Sequence, residues 1–349
     1  MAGVNQTGSA RVGSDRCPGV LRPHLAADGA MVRVRVPGGQ TTGAALGQLS
    51  AVAERYGSGL LQLTSRGSVQ IRGLPVELPA EVETEIARAG FLPSAEHERV
   101  RNIAASPLTG LSGGLADLRP MINDLDRALL ADPTLADLPG RFLFVLDDGR
   151  GDVTALSFDI GYRAWGPNSG EVSMGARRWS TTTRDAVLRM IDLAREFLTE
   201  RGTARRVREL APSAEPSRSP ALTTPLGAID GHASVAAPLG HLTPTQVRAV
   251  RHASGSGPIV ITPWRGLVVP GAAGQLGRLA AAGLVTDDDS VWKLVTACVG
   301  APWCASGRVD TQAWATALAA EGTSARTHLS GCERRCGAPA AAHLDLVAP

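Results

Sequence analysis

Apolar and polar positions along this chain alternate in short runs and in amphipathic stretches, and no apolar run reaches 18 residues. In residues 30–39, Met31, Val32, Val34 and Val36 interleave with Arg33 and Arg35 ahead of Pro37-Gly38-Gly39, which predicts a half-buried strand closed by a turn. Thr41 or Thr42 then caps a run in which Ala45, Leu46, Leu49, Val52 and Ala53 recur at helical spacing up to Gly57. LLQLTSRGSVQIRGL reads as two strands split at Ser65-Arg66-Gly67, and a short helix follows from Pro79 to Ala89 with Gly90 as its stop. Strand, helix, strand, strand, helix is the order of a split βαβ unit of the ferredoxin-like class.

Beyond Arg99 the pattern predicts a helix near 117–130, a strand pair in RFLFVLDDG and DVTALSFDIG, and a long amphipathic helix from Thr183 to Arg201. Val187, Met190, Ile191, Ala194 and Leu198 form the apolar face of that helix. Residues 203–226 are rich in Pro, Ser and Arg and read as a linker. The chain then starts over, with a helix from Thr243 to His252 and two strands in PIVITPWRGLVVPG. IVITPWRGLVVP repeats the frame of LLQLTSRGSVQI, which makes Arg265 the counterpart of Arg66, 199 positions earlier.

The expected fold is therefore α+β, a pseudo-twofold tandem repeat of ferredoxin-like half-domains, each followed by a larger α+β domain. The expected units are a tail over 1–16, half-domains over 17–90 and 227–284, a larger cysteine-free domain over 91–202, a linker over 203–226, and a cysteine-bearing domain over 285–349.

Charge narrows the function. With 35 basic and 33 acidic residues among 349, the balance gives no case for nucleic acid or a membrane surface. The polar, Gly/Ser-rich start has no apolar signal-like region, so a reducing, cytoplasmic location is the default expectation. Lys293 is the only lysine, and every other basic side chain is an arginine, which forks onto carboxylates. Arg66 and Arg265 at the hairpin tips, with Arg101 and Arg141 at the starts of strands, could converge on a ligand carrying many carboxylates.

The chemistry is concentrated in the last 52 residues, where Cys298, Cys304, Cys332 and Cys336 are spaced C-x5-C and C-x3-C with 27 residues between the pairs. Two such loops present soft sulfur donors to one point, which suits an iron–sulfur cluster. Zinc and structural or redox thiols are the alternatives, although the five-residue gap is wide for a zinc knuckle. Gly300, Gly307, Gly331 and Gly337 would let backbone approach a bulky group. His328 reads as a strand residue and Cys17 as structural. There is no P-loop, nucleophile elbow or G-x-G-x-x-G.

The four-cysteine pattern with SGC before the third cysteine, together with LTSRGSVQIRG, resembles the nitrite and sulfite reductase superfamily. CPGVLRPHLAADGAMVRVRVPGG, LPGRFLFVLDDG, ITPWRGL and HLSGC are similar to its precorrin-3B synthase branch. The resemblance implies an oxidoreductase that turns precorrin-3A into precorrin-3B with dioxygen and an external electron donor, in aerobic cobalamin biosynthesis. It implies Cys298, Cys304, Cys332 and Cys336 as ligands of a 4Fe–4S cluster, with Cys336 bridging to a second iron centre, either mononuclear iron or sirohaem. It implies Arg66, Arg101 and Arg141, with Arg265 as the repeat's counterpart, at a tetrapyrrole substrate. Leu143 stands where reductases carry a further lysine, against sulfite or nitrite chemistry. Two departures accompany the match. Glu333, Arg334, Arg335 and Gly337-Ala338-Pro339 replace a loop that usually carries Lys and His, and only 13 residues follow Cys336, so a short final sheet is expected. The rival expectations are a sirohaem-dependent reductase and a non-catalytic cluster or tetrapyrrole-binding protein.

Overall fold

The computed structural model describes residues 17–210, 223–339 and 341–349. The expected tail over 1–16 and the middle of the expected linker lie outside the described residues. The alternation in residues 30–36 produces β2 (Gly29–Val34), whose Ala30, Val32 and Val34 point into the core. β1 (His24–Ala26) pairs along one side of β2 and β5 (Val69–Leu74) along the other, followed by β4 (Leu61–Leu63), all antiparallel. The Thr42 hydroxyl accepts from the Ala45 amide and caps α1 (Gly43–Tyr56). With α2 (Ala80–Arg88), this helix supplies Leu46, Leu49, Val82 and Ile86 to the apolar side of the sheet.

The second half repeats the plan with β11 (Gly227–Ile229), β12 (His232–Ala236), β15 (Gly266–Val269) and β14 (Pro258–Ile261), and with α5 (Pro244–Ser254) and α6 (Leu276–Ala281) as its helices. Each copy lends a strand to the other. β3 (Gln40–Thr42) closes the second sheet beside β14, and β13 (His241–Leu242) closes the first beside β4. One continuous apolar core, from Val32 and Leu46 through Val235 and Ile259, runs under both sheets. The tandem halves expected from the sequence are thus a single interlocked body.

The register corrects one detail of the repeat. Thr64 Oγ1 accepts from the amides of Arg66 and Ser68, and Thr262 Oγ1 accepts from those of Trp264 and Gly266. The structural counterpart of Arg66 is therefore Trp264, and Arg265 corresponds to Gly67. Both occupy the left-handed region, at φ 61° and 69°. Ladder register and the threonine turn set the alignment, and the shared arginine does not.

Residues 100–207 build a second core beneath β6 (Ile103–Ala105), β7 (Phe144–Asp147) and β8 (Ile160–Gly166), which run parallel, and β9 (Ser169–Met174) and β10 (Arg177–Thr182), which continue antiparallel. α3 (Arg119–Ala131) and α4 (Thr183–Glu200) pack on this sheet with Met121, Leu125, Met190 and Phe197. The strand pair expected here forms, but its second strand begins only at Ile160, near the end of the expected stretch. β7 and β8 are parallel neighbours joined by a loop, and Asp159, held by Arg206 at 2.8 Å, pins the end of that loop. The β9–β10 hairpin was not anticipated, because half-exposed RRWSTT carries a single large apolar side chain.

Apolar packing helps join this domain to the half-domains. Trp264 packs with Leu143 and Val153, and Leu108 packs with Val260 and Val268. The last domain is a parallel sheet of β16 (Val295–Ala297), β17 (Thr327–Ser330) and β18 (Leu344–Val347), with α7 (Thr311–Glu321) crossing between the first two. No described helix is long and apolar enough to cross a membrane.

Candidate functional site

Cys298 directly follows β16 and Cys332 lies just past β17, so two neighbouring parallel strands deliver both cysteine loops at their carboxyl ends. The Cys298 amide donates to Leu329 O at 2.9 Å and prolongs the ladder. The Gly331 amide donates to Cys298 Sγ at 3.2 Å, and the Arg308 amide donates to Gly331 O at 3.0 Å. The loops interlock at their glycines. A Cβ on Gly300 would lie 2.3 Å from Thr311 Oγ1, one on Gly307 would lie 2.6 Å from Ala301 N, and Gly331 rests against both glycines.

Cys298, Cys304 and Cys332 are half-buried and Cys336 is exposed. Burial, and then the neighbouring thiols of Cys332, Cys298 and Cys304, push the Cys336 thiol up, so all four share one neighbourhood. Among the described residues, no three His, Cys, Asp or Glu side chains close around a single ion. The donor set, four thiols with Ser330 Oγ buried and unpartnered two residues before Cys332, is of the soft kind that an iron–sulfur cluster takes. His328 lies on β17 as expected, donating to or accepting from Thr296 Oγ1 through Nδ1.

Three residues that the sequence reading missed hold these loops. Arg72 on β5 donates to both Asp28 carboxylate oxygens and to Trp303 O, in the loop between Cys298 and Cys304. Gln312 Nε2 and Thr311 Oγ1 both donate to Cys298 O, at 2.8 and 2.7 Å. Behind Gln312 stands His241 of β13, pushed down to about 4 first by burial and then by Arg265, and so neutral near pH 7.

The four predicted arginines separate into groups. Arg66 Nη1 donates to Arg141 O at 3.0 Å, which joins the hairpin tip of the first half to the start of β7. Arg33 and Arg35, which looked like plain alternation partners, belong to the same group. Burial lowers Arg33, with Arg141 adding to the fall; it lowers Arg35 to about 9 and Arg66 to about 10, while the Cys17 charge opposes the fall for all three. Arg35 is 1 % exposed, and its Nε has no partner. Guanidiniums that depress one another in this way concentrate positive charge between β2 and the start of β7. Two arginines alternating with buried valines, Arg33 on β2 and Arg35 just past it, were the available signal. Arg101 is instead held by Asp126 in a two-pronged pair at 2.7 Å. Arg265 sits on the other side, against Gly240 and within the electrostatic reach of His241 and His328.

The comparisons with known proteins agree with this architecture. Residues 23–89 match the nitrite/sulfite reductase ferredoxin-like half domain. Precorrin-3B synthase of Sinorhizobium sp is 29% identical over 95% of this chain and 80% of its own length. Ferredoxin–nitrite reductase of Leptolyngbya laminosa is 29% identical over 32% of this chain and 23% of its own length. The solved NirA protein of Mycobacterium tuberculosis superposes with a TM-score of 0.66 over 87% of this chain and 68% of that one, at 21% identity, which supports the fold alone. The chain is thus similar to a nitrite/sulfite reductase ferredoxin-like half domain over residues 23–89 and to precorrin-3B synthase over nearly its whole length.

Proposed function

We propose that this chain is a precorrin-3B synthase-like iron–sulfur monooxygenase, converting precorrin-3A to precorrin-3B with dioxygen and electrons from an external donor. The observation that carries the reading is the gathering of Cys298, Cys304, Cys332 and Cys336 from two strand ends into one neighbourhood. These four thiols would hold a 4Fe–4S cluster, which when bound supplies electrons one at a time. The chain's own part is binding and orientation. Arg33, Arg66 and the exposed Arg141 offer charge-assisted hydrogen bonds to peripheral carboxylates of a tetrapyrrole, and partial burial shields Arg33 and Arg66 from water.

Two features favour this reading over sirohaem-dependent reduction of nitrite or sulfite. Leu143 is buried in an apolar cluster with Val153 and Trp264, and Arg101 is neutralised by Asp126, so two positions contribute no open cation for a small oxyanion. Anaerobic purification with iron and acid-labile sulfide assays tests the first half of the proposal; zinc without labile sulfide would sink it. Incubation with precorrin-3A, oxygen and reductant tests the second half, and an intact cluster with no hydroxylated product would leave a non-catalytic binding protein.

A further inference from the structure

The lent strand β13 reaches the cysteine loops through one side chain. His241 pairs with Gln62 in the backbone ladder, and its imidazole lies within hydrogen-bonding reach of the Gln312 side chain. Gln312 Nε2 donates to Cys298 O, while its Oε1 is buried without a hydrogen bond of full geometry. A buried amide oxygen without a partner calls for an N–H, and the nearby neutral histidine carries one. Arg265 packs its stem on Gly240, the residue before His241, and its charge acts on the same ring. The pseudo-symmetric position in the first half, Gln40 on β3, faces no cysteine loop and pairs with Val260. The histidine therefore appears only in the copy that abuts the four thiols.

We infer that His241 is a positioning residue: by donating to Gln312 Oε1 it fixes the amide that donates to Cys298 O, so the lent strand sets the hydrogen bonding around one cysteine of the candidate cluster. Fixing which end of the amide points at Cys298 matters because the reversed amide would set oxygen against oxygen.

The test compares His241→Leu, which cannot donate, with His241→Asn, which can, and with Gln312→Leu. In metal-free protein, amide hydrogen exchange over residues 298–312 is expected to rise several-fold in His241→Leu and Gln312→Leu and to return toward wild type in His241→Asn. The double variant should exceed neither single one. Exchange in His241→Leu equal to wild type, or His241→Asn as loose as His241→Leu, overturns the inference. A second readout rests on the cluster reading above. In reconstituted protein, His241→Leu should shift the reduction potential to more negative values and His241→Asn should restore it, whereas an unmoved potential denies the link to the cluster. If wild type takes up no iron and sulfide, the cluster reading fails, while the exchange measurement still decides whether His241 positions the loop.

Discussion

Arg72 of the first half-domain donates through Nη2 to the carbonyl oxygen of Trp303, 3.1 Å away and 231 residues along the chain. The same guanidinium forks onto Asp28, whose side chain is 3% exposed. Removing it should both free the Cys298–Cys304 loop and leave a buried carboxylate unpaired. Arg72→Leu is expected to lower unfolding stability by about 3–5 kcal/mol in denaturant titration. Removing the carboxylate as well, in Arg72→Leu/Asp28→Leu, should recover part of that loss but not the loop's order.

The arginine groups make separable predictions. Arg66→Gln should weaken binding of a polycarboxylate porphyrin about 10-fold or more, since one charge-assisted bond is worth roughly 1.5–3 kcal/mol. Arg101→Gln should leave that affinity nearly unchanged and instead destabilise the fold by about 3 kcal/mol, because Asp126 loses its partner. Fluorescence titration beside thermal melts distinguishes the two. Equal losses of affinity would place Arg101 at the ligand after all.

For the thiols, Cys298→Ser or Cys332→Ser should abolish uptake of iron and labile sulfide on reconstitution, while Cys17→Ser, remote from the four in sequence and grouped with Arg33 and Arg66, should keep it. Stripping iron with a chelator should loosen the loops around Gly300, Gly307 and Gly331 and leave the half-domains folded. Limited proteolysis with mass analysis would locate the cuts.

Asp152 supplies a pH test. Burial, reinforced by Asp147 and Asp148 and opposed by Ser106 and Arg150, pushes its carboxyl up to about 6. The folded state thus holds a proton that the unfolded chain, at about 3.8, has already released. Stability contributed by that proton is present below pH 4 and is lost as pH rises toward 6. Asp152→Asn should remove this slope and raise stability at pH 7 by roughly 2–3 kcal/mol, as measured by urea unfolding at several pH values.

Much of this was readable in the linear chain. The Thr42 cap, α4 and the restart after residue 226 all come from local periodicity, and α1, α2, α4 and α5 form close to where their patterns indicated. Reading failed where pairing is non-local. Nothing in Gln40–Thr42 or His241–Leu242 says that these residues leave their own half, because a three-residue strand has no pattern of its own and is made by the ladder it joins. The same limit misaligned Arg66 with Arg265.

The site divides along the same line. Residue type and spacing by themselves pointed to four thiols brought together from two loops, and the family resemblance pointed to Arg66 and Arg141 as candidate binding charges. Only the tertiary structure decided that Arg101 answers to Asp126, that Arg33 and Arg35 join Arg66, and that Arg72 and His241 brace the cysteine loops. Local elements depend on neighbours a few residues apart, whereas the partner of a charged group depends on which distant surfaces packing brings within a few ångströms.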